Sequence, residues 1–220
     1  MARRKELLKE IAQEHRTRPS TAISLDLGEE ESLEIFEKLL KENQPEIKVL
    51  VNNAGYGKCT DFFTSNRESQ TGMVDLNCRA LTGITRLCLP YMLDDSLVLN
   101  IASIASLCPH PPDDCLLRHQ GLCIRLFQSA SRGAAAQGIR VCAVCPGPMD
   151  TAFWNVAGVP EGKSRLIDKL PRVDPREVAE GSLRAAKRGK MTYTKGAFYK
   201  FYHVLSKLLP NGLMMEFTEV

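Results

Sequence analysis

At 220 residues the chain fits one domain and is long enough to bury a sizeable core. Apolar residues make up 44% and charged residues 25%, ordinary proportions that exclude a disordered or fibrous chain. With 29 basic against 26 acidic residues, the net charge of +3 is too small to mark a nucleic-acid or membrane-binding protein.

The opening residues, Met1-Ala2-Arg3-Arg4-Lys5-Glu6, lack the apolar stretch of a targeting signal, and no run approaches a membrane span. A cytoplasmic protein is expected. Residues 2–15 place Leu7, Leu8, Ile11 and Ala12 on one face of a helix. Thr21–Leu27 alternates and stops at Gly28, which predicts a strand. A helix over Glu29–Asn43 has three acids at its positive end and a stripe of Leu33, Phe36, Leu39 and Leu40. Ile47–Val51 is a continuous apolar run, as expected of a strand covered on both faces, and it ends in Asn52-Asn53-Ala54-Gly55.

A long helical region is expected from Arg67 to Leu93, with Asn77 inside it. Two strand-length runs follow, Leu97–Ile101 and Ile139–Cys145, separated by enough chain for the crossover helix that parallel strands require. After a mixed segment from Ala152 to Val173, Asp174-Pro175 reads as a helix N-cap with proline in the first turn, and that helix runs to about Lys187. The last thirty residues mix lysines with Tyr193, Phe198, Tyr199, Phe201 and Tyr202. Their composition is compatible with a membrane surface or nucleic acid. The reading favours packing of their apolar side chains on the substrate side of the sheet. Alternating strands and helices argue for a mainly parallel sheet with helices on both faces.

Eight cysteines, with no export signal, read as free thiols of a reducing compartment. Cys142 and Cys145 lie three apart on a strand, so they point to opposite faces and make a poor metal or redox pair. No metal site is expected.

In an open α/β sheet, ligands bind just past the carboxyl ends of the strands. Ser103 and Pro146-Gly147 occupy such positions. The motifs around them, N-I-A-S ending at Ser103 and G-I-R-V-C-A-V-C-P-G-P-M-D-T from Gly138 to Thr151, resemble the short-chain dehydrogenase/reductase family. The N-N-A-G turn at Asn52–Gly55 and D-L-N-C-R-A-L around Asn77 agree with it.

The resemblance implies a Rossmann-like doubly wound sheet in a single domain over 1–220. It also implies hydride transfer between NADP or NAD and a small carbonyl or alcohol. Asn53, Ala54 and Gly55 then lie beneath the cofactor, Asp26-Leu27 touches the adenine, and Pro146, Gly147 and Thr151 contact the nicotinamide end. Arg4, in A-R-R, stands where an arginine often meets the 2′-phosphate of NADP, which favours NADP slightly. Asn77 holds a water of the proton relay and Ser103 holds the substrate oxygen. The bland alternatives are an N-cap for Asp26, a local turn for Pro146-Gly147 and a kink for Asn77.

Two departures limit the resemblance. The family's Tyr and Lys fall at Leu116 and Gln120, thirteen and seventeen residues after Ser103. Leucine has no ionisable group, and glutamine carries no charge to shift a neighbour's pKa. The first βαβ unit, with its glycine-rich turn, is also expected to be lacking. Gly55 and Gly57 are followed by Thr60 where a third glycine would fall. Catalysis is therefore expected to be impaired and dinucleotide binding weak or absent. The alternative is a pseudoenzyme, a non-catalytic subunit pairing with its own kind or another chain through the helices around Asn77 and residues 113–137. Neither nucleic acid nor stable membrane insertion is expected.

Overall fold

The computed structural model describes residues 1–14, 20–58, 63–107, 121, 124–125, 133–158 and 169–216. Strands β1 (Ile47–Asn52), β2 (Met92–Ile101), β3 (Arg140–Val144) and β4 (Thr192–Tyr193) form one parallel sheet in that order. Asn52 pairs with Asn100, and Ile101 with Val144. All four strands therefore end along the same edge, as a parallel α/β sheet requires. This is the expected Rossmann-like α/β architecture.

Helices cover the two faces through side chains that the pleat sends in opposite directions. On one face Leu97, Leu99, Cys142 and Val144 pack with Val178 and Ala186 of a helix over Pro175–Lys187 (α6 in chain order). On the other, Leu33, Phe36 and Leu40 of α2 (Glu30–Asn43) meet Ile84 and Cys88 of α4 (Leu81–Cys88), with Ile47 and Leu50 alongside. The N-cap of α6 forms as the sequence dictates: the Asp174 carboxylate accepts the backbone N–H of Arg176 at 2.7 Å and of Glu177 at 3.0 Å.

Other helices among the described residues are α1 (Lys5–Glu14), α3 (Arg67–Val74), α5 (Phe153–Ala157), α7 (Ala197–Leu208) and α8 (Asn211–Glu216). The expected helical region from Arg67 runs continuously to Tyr91. Between α3 and α4 the chain opens into a π-helical segment, Asp75–Ala80, and β2 already begins at Met92. The expected crossover helix after Ser103 lies largely outside the described residues.

Two expectations of strand structure are corrected. Thr21–Leu27 is not a strand: it makes one parallel bridge, Ser24 with Ala2, through Ala2 N–H to Ile23 C=O at 3.4 Å and Leu25 N–H to Ala2 C=O at 3.3 Å. An extended segment becomes a strand only where a neighbour continues the ladder, and this one has a neighbour at a single residue. Nor is β1 covered on both faces, for Val49 is 44% and Val51 51% exposed. They pair with Leu97 and Leu99, hence share the α6 face, but α6 lies over β2, β3 and β4. Among the described residues no strand flanks β1 on its other side.

Candidate functional site

The carboxyl ends of β1, β2 and β3 bring together three of the sequence-predicted groups. After β1, Asn52 stays buried while Asn53, Ala54 and Gly55 are exposed. Asn52 Nδ2 donates to Thr85 Oγ1 at 2.9 Å and to Asn100 Oδ1 at 2.7 Å, tying β1 to α4 and β2. The exposed turn therefore starts from a fixed point.

Asn77 sits in the π segment and is buried. A π turn inserts one extra residue and re-aims its side chain, and such segments cluster at functional sites. Here Asn77 Oδ1 accepts the Tyr56 N–H at 3.0 Å, and Nδ2 donates to the Tyr56 C=O at 2.7 Å. One side chain thus satisfies both polar groups of a loop residue. A Cβ at Gly55 would lie 3.0 Å from Asn77 Oδ1, so the close approach favours glycine there.

Ser103 follows β2 and is half-buried. Its flanking amides hold it against β3: Ala102 N–H donates to Val144 C=O at 2.8 Å, and Ile104 N–H to Pro146 C=O at 2.9 Å. The hydroxyl oxygen accepts the Ala105 N–H at 3.2 Å, an interaction that leaves its proton available to an acceptor. Ser103 and Pro146-Gly147 are therefore adjacent, as the strand ends implied.

Gly147 is buried, and a Cβ there would run into the ring of Tyr199 from α7. The Tyr199 hydroxyl donates to Pro171 C=O at 2.6 Å, and burial pushes its pKa up. Thr151 is exposed; its hydroxyl accepts the Phe153 N–H at 3.4 Å at the start of α5. Nearby, Asp150 pairs with Arg172 at 3.2 Å, and that guanidinium lies 5.5 Å from the Trp154 ring centre.

On the far side, Asp26 accepts the Gly28 N–H at 3.1 Å and faces Arg3 at 3.6 Å. Leu27 is buried in the α2–α4 core. Arg4 is exposed at the start of α1, so Arg3, and not Arg4, faces the carboxylate. Tyr56 is pushed up in pKa chiefly by burial, with Asp75 and Asp26 adding to the rise and Arg3 opposing it. That electrostatic reach joins Asp26 and Arg3 to the Asn77 loop. Leu116 and Gln120 lie outside the described residues.

Sequence reasoning missed Arg79 and Tyr199. Arg79 bonds Asp75 at 3.1 Å within the π segment and also grips Glu30 and the Gly28 carbonyl. Its i, i+4 spacing from Asp75 was a visible signal; the reach to Gly28 was not. Cys142 and Cys145 are buried on opposite faces, as read from the sequence, with thiol pKa values raised by burial to about 11 and about 12. Among the described residues, no three potential ligands cluster for a metal.

Comparison with known proteins agrees with this architecture. A family model described as enoyl-(acyl carrier protein) reductase matches residues 1–186. The chain belongs to the short-chain dehydrogenase/reductase family. Among its relatives, oxidoreductase UcpA of Salmonella typhimurium is 25% identical over 167 residues, covering 73% of this chain and 64% of the relative. The 2-(R)-hydroxypropyl-CoM dehydrogenase of Xanthobacter autotrophicus is 32% identical over 133 residues, covering 57% of this chain and 53% of the relative. The chain thus spans less than two thirds of the length of either. A short-chain dehydrogenase from Sphingobium yanoikuyae, solved with NADPH, superposes with a TM-score of 0.75 at 22% identity, covering 96% of this chain and 83% of the other. One from Burkholderia phymatum, solved with NAD, gives 0.76 at 17% identity, covering 93% and 82%.

Proposed function

We propose that residues 1–220 form one short-chain dehydrogenase/reductase domain of an NAD(P)-dependent oxidoreductase type whose carbonyl chemistry is impaired. The observation that carries the reading is Leu116 and Gln120 at the positions of the family's Tyr and Lys, counted from Ser103. Ser103 keeps a hydroxyl able to hold a carbonyl oxygen. Neither Leu116 nor Gln120 can give that oxygen a proton as a phenol would. General acid catalysis is worth about 10²–10⁴ in rate. A replacement phenol would need a depressed pKa, yet Tyr56 and Tyr199 are both pushed up, chiefly by burial.

A nicotinamide cofactor, when bound, would give or take the hydride. The residues present suit its ends better than its middle. Exposed Asn53, Ala54 and Gly55 with the Asp26 carboxylate would receive the adenosine half, and Thr151 with the Pro146-Gly147 turn the nicotinamide half. The space against Gly147 is filled by Tyr199. The sequence holds no G-x-G-x-x-G whose amides would cradle the diphosphate. Weak binding of NADP or NAD follows, with NADP slightly favoured by the arginines at 3 and 4. The substrate class is a small carbonyl or alcohol; the hydroxypropyl-CoM relative acts on such a group by its name.

The test is a panel of aldehydes and ketones with NADPH and NADH, followed by nicotinamide absorbance. Turnover well below about 1 s⁻¹ is expected, beneath the usual enzyme range. Turnover at or above that rate would overturn the proposal and put Tyr56 and His119 first as donors. Calorimetric titration tests the weak cofactor binding. Dissociation constants of about a millimolar or weaker are expected for both nucleotides.

A further inference from the structure

Helix α7, Ala197–Leu208, is oriented opposite to an ordinary surface helix. At 3.6 residues per turn, Tyr199, Tyr202, His203 and Ser206 share one side, and this polar-tipped side faces the protein: Tyr199 is buried and the other three are half-buried. The opposite side carries Ala197, Phe201, Val204 and Leu208 outward. Phe201 is 66%, Val204 55% and Leu208 74% exposed, with Phe198 at 49% on the flank. The sequence expectation that these side chains pack on the substrate side of the sheet is therefore corrected for Phe198 and Phe201, which are exposed, while Tyr199 packs against Gly147 and Tyr193 against the α6 core. A helix buries its apolar stripe when it can, so this stripe is turned towards something other than water.

The charges around the stripe say what that is. Lys200 and Lys207 stand two turns apart along one edge of it. Lys190 precedes the helix, Lys195 before it is already paired with Glu177 at 3.2 Å, and no Asp or Glu occurs from Arg188 to Met215. A symmetric contact with a second copy would set this patch against itself, cation to cation, with no acid to pair. Exposed Phe and Leu beside an edge of lysines is instead the pattern of a helix lying in a membrane interface, its apolar side in the acyl boundary and its cations at anionic headgroups. Among the described residues no helix is long and apolar enough to cross a bilayer.

We propose that α7 docks this protein reversibly, in the plane of the membrane, on an anionic lipid surface. The exposed side of α7 enters the acyl boundary, while Lys200 and Lys207 reach the phosphates. The first turn of the same helix presses Tyr199 against Gly147, so docking sets the strand ends that carry Ser103 and Pro146-Gly147 close to the lipid surface. The inference rests on the exposed face and its charges and stands whether or not the protein is catalytic.

The experiment is cosedimentation of the full chain with phosphatidylcholine vesicles, alone or with roughly a third phosphatidylserine. Binding to the anionic vesicles, weakened by salt and much weaker on pure phosphatidylcholine, is expected. Removing both charges in Lys200→Gln/Lys207→Gln is expected to cost about thirty-fold in partitioning. Phe201→Ser/Leu208→Ser, at solvent-facing positions, is expected to lose at least about tenfold while its circular dichroism stays unchanged. Absence of binding to either vesicle overturns the proposal, as does equal binding by the serine variant. A concentration-dependent dimer that Phe201→Ser/Leu208→Ser abolishes would overturn it in favour of a second copy.

Discussion

At Gly147 one hydrogen atom in place of a methyl group allows the Tyr199 ring to seat. Overpacking a filled core typically costs about 1–3 kcal/mol. Gly147→Ala is therefore expected to lower Tm by several degrees in a thermal melt, and Tyr199→Leu in the same background to recover part of the loss. His203, on the inward side of α7, shows the opposite kind of constraint. Burial lowers its pKa below the usual 6.5, Lys207 lowers it further, and its Nε2 is buried with no partner among the described residues. A folded-state pKa below the unfolded one means that the neutral imidazole stabilises the fold. That contribution is complete above the unfolded value and is lost as pH falls through the folded one. Denaturant midpoints for the wild type should fall on acidification below about pH 6.5, and those of His203→Gln should fall less. Parallel acid limbs would refute this. Cys142 and Cys145, with their raised pKa values, should resist thiol reagents at neutral pH until denatured, as peptide-resolved labelling would show.

Among the elements, those fixed by adjacent residues were legible and those fixed by a distant neighbour were not. The start of α6 could be read at Asp174-Pro175 because an N-cap needs only the next three amides. Thr21–Leu27 failed as a strand because alternation states which side chains face a core, not whether a ladder exists beside them. The neighbours of Asn77 in sequence marked it as a site residue, but the π opening that aims it at Tyr56 depends on contacts made across the fold, with Arg79 gripping Gly28 and Glu30. Ser103 and Pro146-Gly147 were expected at neighbouring strand ends and are adjacent, since parallel register alone brings strand ends together. Asn77→Ala leaves the Tyr56 amide and carbonyl without their partner, at a cost of about 1–3 kcal/mol per buried group. A lower denaturant midpoint is expected, with faster hydrogen exchange at Tyr56. Asn77→Asp, which keeps the acceptor but not the donor, should fall between the two. Unchanged exchange in Asn77→Ala would show that the π segment holds the loop without its side chain.

For the whole molecule, the decisive feature is the side of β1 that no strand flanks among the described residues. Ile47 and Leu50 share the α2–α4 core with Leu25 and Leu27, yet β1 and the 21–27 segment do not pair. Both rest on one helical layer with no ladder between them, and Val49 and Val51 lie open on the α6 face. Backbone groups along an uncapped edge are a template for another strand, and natural edges are usually blunted by charge, proline or a covering segment. On β1 only Lys48 provides such a charge, and it is turned to the Asp94 carbonyl at 2.8 Å. The 220-residue chain by itself is therefore expected to associate in solution, or to melt early and without a sharp transition. Val51→Lys places a charge on the open face at a residue already half exposed, so it should shift the size distribution towards monomer without unfolding α6 or the core beneath it. Light scattering after size-exclusion chromatography, with a thermal melt of the same fractions, decides between the outcomes. A monodisperse wild-type monomer melting cooperatively above about 60 °C, the upper mesophile range, would show that the β1 edge is satisfied within the chain.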